Sequence, residues 1–160
     1  MDFSKFDEKF DLEGLKNDIK EANENSGNYK EVPLGSYEVK IEKLELTLSN
    51  TDENGNIKDK NKDQKPMVRI WFKILEGEFK GSLIFYNQLV TEGFQLNIMN
   101  EFLNSLDSGV DVYFESFNQY KDMILDIHEA IDGKLEYLLE YDKNNKGYST
   151  YKIEEVYEVA

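Results

Sequence analysis

The chain has no cysteine among its 160 residues, which excludes disulfides, thiolate catalysis, zinc fingers and iron–sulfur ligation and fits a reducing compartment. It has a single histidine, His128, so no metal site of two or three imidazoles can be assembled, and no serine or cysteine nucleophile motif accompanies it. A Gly-rich phosphate loop is also missing, because Gly77-Glu-Phe-Lys-Gly81 lacks the spacing and the lysine context. No apolar run approaches the roughly 20 residues of a membrane span, and Met1-Asp-Phe-Ser-Lys-Phe-Asp-Glu is too acidic for a signal peptide. There is no internal repeat and no low-complexity segment. These absences lead to the expectation of a soluble cytoplasmic protein that is not an enzyme and needs no cofactor.

Positive charge is scarce as well. Lys and Arg number 19 against 33 Asp and Glu, for a net charge of −14. A uniformly basic coat for duplex DNA is therefore excluded. A local basic groove with stacking platforms for a single strand is not, since an acidic remainder keeps such a protein soluble and repels the backbone elsewhere. The same charge suits a protein that imitates DNA in another protein's basic cleft.

What is present is concentrated in Met67-Val-Arg-Ile-Trp-Phe-Lys-Ile-Leu75. Strict alternation separates Val68, Ile70, Phe72 and Ile74 from Arg69, Trp71 and Lys73, giving a strand with a dry face and a working face. The working face carries the only Trp and the only Arg of the chain beside a lysine. Cations flanking an exposed indole suit a base stacked over a phosphate backbone. A bent barrel strand with Arg69 and Lys73 snorkelling past a partly buried Trp71 is the structural alternative.

Around this strand the periodicity predicts an ordered series of elements. Phe3, Phe6 and Phe10, then Leu15, Ile19 and Ala22, recur at helical spacing, and Asn23 to Glu31 reads as a linker, so residues 1–31 form an amphipathic helical arm, a candidate for self-association or partner binding. Residues 32–160 form the main domain. Tyr37, Val39 and Ile41 alternate as a strand, but Leu44, Leu46 and Leu48 continue on even positions, which requires a β-bulge near Glu42-Lys43. Ser49 to Pro66 is a polar loop, and Ser82 to Val90 a third strand. Helical stripes follow over Phe94 to Leu106 and over Asn118 to Ile131, with an extended segment between them at Val110 to Phe117. Leu135 to Tyr141 and Tyr148 to Val156 are strands joined by a hairpin loop, and the carboxyl end belongs to the last of them.

That order predicts a mainly β protein with helices, an α+β chain shaped as a five-stranded oligonucleotide/oligosaccharide-binding (OB) barrel with a helical insertion between strands 3 and 4. In such a barrel strands 2 and 3 form the ligand face, rimmed by the loops between strands 1 and 2 and between strands 4 and 5. This acidic chain turns basic at those places. Lys58, Lys60, Lys62 and Lys65 fall in the first loop, Lys143, Lys146 and Tyr148 in the second, and Arg69, Trp71 and Lys73 on the strand between, with Lys40 on the outer side of the first strand. These residues are the predicted single-strand interface. Within the first loop, Asn50-Thr-Asp-Glu-Asn-Gly-Asn-Ile has the oxygen spacing of a calcium loop, but it opens on Asn50, would close on Asn61 and is flanked by strands, so it reads as a polar turn.

The segments Val32-Pro-Leu-Gly-Ser-Tyr-Glu-Val-Lys, Pro66-Met-Val-Arg-Ile-Trp-Phe-Lys-Ile-Leu-Glu-Gly, Asn100-Glu-Phe-Leu-Asn-Ser-Leu-Asp-Ser-Gly and Ala130-Ile-Asp-Gly-Lys-Leu-Glu-Tyr resemble a family of uncharacterised phage proteins. Its members belong to replication and recombination modules and are often labelled single-stranded DNA-binding proteins. The resemblance spans about residues 32 to 158 and rests on scaffold motifs. It departs from the family pattern at Ser49 to Lys65, which is longer than the family's short turn, so the loop lysines take no support from it. The resemblance implies a host-cell cytoplasmic protein that binds single-stranded DNA without sequence preference and works beside phage replication or recombination proteins. The alternative function is an acidic protein-interaction module, either a DNA mimic or an inhibitor of a host defence or replication enzyme. A purely structural barrel is a third.

Overall fold

The structure is a computed structural model that describes residues 31–52 and 54–159. The arm and linker expected over residues 1–31 therefore lie, apart from Glu31, outside the described residues.

Strand β1 (Gly35–Leu48) is followed by β2 (Pro66–Ile74), β3 (Leu83–Leu89), helices α1 (Gly93–Ser105) and α2 (Phe117–Ile131), then β4 (Leu135–Lys143) and β5 (Ser149–Glu158). All neighbouring strands are antiparallel, in the order β3-β2-β1-β4-β5. The long first strand belongs to both halves of the sheet: Val39 to Leu48 pair with β2, and Gly35 to Val39 pair with β4. The phase slip in its sequence is a bulge at Glu42, where the register skips from Ile41↔Phe72 to Lys43↔Trp71. One extra residue lets Val39 and Ile41 before it, and Leu44 after it, all point into the core.

Alternation elsewhere delivers Val68, Ile70, Phe72 and Ile74 from β2, Ile84 and Tyr86 from β3, and Tyr137 and Leu139 from β4 to the same side. The two helices cover that side. The stripe of α2, with Tyr120, Met123, Ile124, Ile127 and Ile131, packs against β1, and α1 contributes Met99, Phe102 and Leu103 while resting against β3 and β5. Ser116 starts α2 by accepting a hydrogen bond from the Gln119 backbone at 3.1 Å. The segment between the helices, expected to be extended, joins no ladder.

The protein is thus an α+β chain with the helical insertion between β3 and β4, but the expected barrel is not closed, because β3 and β5 share no ladder. A side chain meets β3 where backbone would be needed. The Tyr151 hydroxyl of β5 donates to the Phe85 carbonyl of β3 at 2.7 Å, and its ring stacks on Tyr86 with centroids 4.1 Å apart. A tyrosine side chain is longer than the roughly 4.8 Å between paired strands, so a link made through its hydroxyl holds the two backbones beyond ladder distance. Burial pushes the Tyr151 phenol up and that of Tyr86 to about 12, so at neutral pH Tyr151 keeps the proton it donates.

The helical layer is tied to the sheet by a buried bond in which the Tyr137 hydroxyl donates to the Leu106 carbonyl at 2.8 Å. Removing the hydroxyl leaves that carbonyl without its donor in a dry environment. Tyr137→Phe is therefore expected to destabilise the fold by about 1–3 kcal/mol, read as a lower urea midpoint with unchanged slope.

Candidate nucleic-acid interface

The outward side of β1, β2 and β3 is assembled by register. On β2, Arg69, Trp71 and Lys73 alternate with the core residues and are half-buried. The ladder sets Lys40 beside Lys73, Lys43 beside Trp71 and Glu45 beside Arg69 on one flank, and Leu83, Phe85 and Asn87 beside the same three β2 residues on the other. The indole at the centre meets Phe85 edge-on, with centroids 5.7 Å apart, and carries the Lys43 ammonium 4.1 Å above its ring. Phe85 is 41% exposed, so the Trp71–Phe85 pair forms an apolar step open to solvent.

Four cations, Lys40, Lys43, Arg69 and Lys73, share this surface with two carboxylates, Glu42 and Glu45. Lys40 pairs with Glu42 at 3.3 Å, while Lys43 and Arg69 approach Glu45 at 3.9 and 3.7 Å. Among the described residues no ion pair involves Lys73. The Arg69 side chain is only 16% exposed, so it is more covered than a free groove cation would be.

The predicted residues fall into three groups. Lys40, Arg69, Trp71 and Lys73 come together on the face. Lys58, Lys60, Lys62 and Lys65 are all exposed on an ordered extension of the β1–β2 hairpin, and none forms an ion pair among the described residues. That extension is held by its own polar groups: Thr51 bridges to Ile57, the Asn50 amide donates to the Asp59 and Lys62 carbonyls, and Asp52 Oδ1 accepts from the Asn54 and Asn56 backbone. Two of the oxygens that gave this stretch its calcium-like spacing, Asn50 Oδ1, which accepts from the Asp59 backbone, and Asp52 Oδ1, are thereby engaged in turn formation. Lys143, Lys146 and Tyr148 lie on the β4–β5 hairpin, where Asn144 Oδ1 accepts from the Lys146 and Tyr148 backbone and leaves the Tyr148 ring 69% exposed. This hairpin's second strand reaches β3 through Tyr151, whose hydroxyl donates to the Phe85 backbone carbonyl while its ring stacks on Phe72 and Tyr86, on the core side of the sheet and not on the Trp71 face.

Sequence reasoning missed Lys43, Glu45, Phe85 and Asn87. Lys43 sits in the bulge, where alternation has no phase. Phe85 was signalled by its place between the buried Ile84 and Tyr86, but its pairing with Trp71 depends on register.

The other half of the outer side is acidic. Glu38 lies against Glu76 and Glu136, and repulsion from Glu76 first of all raises the Glu38 carboxyl above its ordinary value. Among the described residues no group of three or more His, Cys, Asp or Glu side chains is arranged to hold a metal ion, and no helix is long and apolar enough to cross a membrane.

A family model described as a protein of unknown function (DUF669) matches residues 17–149, well over half of the chain. No curated protein matches it.

Proposed function

The chain belongs to the DUF669 family, and because that description names no activity, we propose a function from the outer face of β1, β2 and β3: binding of single-stranded DNA without strong sequence preference. The observation that carries the reading is the Trp71–Phe85 step set among Lys43, Arg69, Lys73 and Lys40. Stacking accepts any base, because every base has a π-face, and the cations track phosphates without reading sequence. No catalytic step is part of this function.

The strand order gives further support by analogy. It is that of an OB barrel opened between β3 and β5, in which the surface of strands 2 and 3 takes the ligand. The phage replication or recombination setting, the host-cell cytoplasm and partner proteins from the same module rest on the resemblance of the four scaffold segments alone. The second reading, an acidic module that engages a basic partner, is favoured by the crowding of Glu38, Glu76 and Glu136 on the far half of the sheet.

The exposed loop lysines give a test that spares the fold. Replacing Lys58, Lys60, Lys62 and Lys65 together by Gln is expected to weaken single-strand binding and to flatten its salt dependence by about 0.7 for each phosphate that is no longer neutralised. Melting should change little, because the loop is held by Asn50 and Asp52. Unchanged affinity and slope would make the loop a bystander.

A further inference from the structure

Glu45 touches both cations that bracket Trp71. Its Oε1 lies 3.9 Å from Lys43 Nζ and 3.7 Å from Arg69 Nη1, and those cations come from different strands. Both distances exceed the roughly 2.7–2.9 Å of a charge-assisted hydrogen bond, and no hydrogen bond to Glu45 forms among the described residues. The carboxylate therefore sits where an anion is attracted from two sides without being bonded by either cation. With Glu45 and Lys43 about a third exposed and Arg69 16% exposed, both pairs are long and poorly aligned and add little to stability, so the position can be vacated cheaply.

We propose that Glu45 is a built-in counter-anion that occupies the place of a backbone phosphate between Lys43 and Arg69 and is displaced when a single strand binds. The inference rests on the reading of this face as a single-strand groove. A phosphate that reaches the two cations can form the close hydrogen bonds that Glu45 does not, while the base next to it stacks at Trp71. Until then Glu45 keeps Lys43 and Arg69 facing one point and repels anions that bring no stacking. Its net effect on affinity is negative. This separates it from a residue that merely positions Arg69, whose loss would weaken binding.

The test is titration of the wild type, Glu45→Gln, Glu45→Thr and Glu42→Gln with an oligo-dT strand across a salt series, with melting measured on each. Glu45→Gln should bind about fivefold more tightly at low salt, the effect of removing one like charge roughly 4 Å from a phosphate in water. Its salt dependence should steepen by about 0.7. Glu45→Thr, with a strand-forming side chain, should move in the same direction if the Gln variant folds poorly. Glu42→Gln, which relieves only Lys40, should gain less. Wild-type binding with equal or weaker binding by folded Glu45 variants overturns the inference and leaves the groove standing. No binding by any of the four proteins overturns both.

Discussion

An unstructured single-stranded oligonucleotide added at low salt is expected to quench the fluorescence of Trp71 more than duplex DNA does, and rising salt to reverse the effect. Trp71 is the only indole in the chain, so selectively excited emission reports this one position. Its ring is half-buried against Phe85, with Lys43 above it, so a stacking base must change its surroundings and send the ammonium towards a phosphate. Duplex DNA keeps its bases stacked on one another and offers only its backbone. Trp71→Ala should reduce single-strand affinity by about 1–3 kcal/mol, the usual contribution of one stacked base, with the fold retained. A folded wild type that shows neither quenching nor binding at low salt would remove the single-strand reading and leave the acidic half of the sheet as the place to look. An unfolded Trp71→Ala would make the indole part of the core.

One position along, the expected result reverses. Phe72 is 0% exposed and packs against Phe102 and Tyr151, so Phe72→Ala should destabilise the fold by about 3–5 kcal/mol through reduced burial and an incompletely filled cavity. That is a large share of the stability of an ordinary domain. Urea denaturation reads it directly, and whatever fraction remains folded should still bind. Two adjacent substitutions, one affecting mainly ligand and the other mainly fold, test the separation of faces on β2. Equal losses of stability in both would contradict it.

That separation is legible in the sequence, because a strand's two faces are written in alternating letters and Val68 to Ile74 alternates without fault. The bulge is legible too, since Val39 and Ile41 fall on odd positions and Leu44, Leu46 and Leu48 on even ones. Both helices appear through their apolar stripes. What could not be read was which residue lies opposite which. The coupling of Glu45 to Arg69 and the contact of Phe85 with Trp71 depend on cross-strand register, which local pattern constrains only through the choice of face. Closure failed for a related reason: β3 and β5 each show a strand's alternation, but nothing local states that Tyr151 meets β3 with its hydroxyl and so stands in for a ladder. The ion pairing of Arg69 could not be read either, because Glu45 lies two residues from Lys43 in sequence but meets Arg69 only across the ladder.

The bulge at Glu42 also works as a frameshift in side-chain direction. Everything before it on β1 is read in one phase and everything after it in the other, so the outer surface receives Lys40, then Lys43 and Glu45, while the interior receives Ile41 and then Leu44. Run through Glu42 as a regular strand with no bulge, the same sequence would transpose the two lists downstream, sending Lys43 and Glu45 inward and Leu44 and Leu46 to the water. The charge pattern beside Trp71 thus depends on the strand bulging at Glu42 as much as on the charged residues themselves.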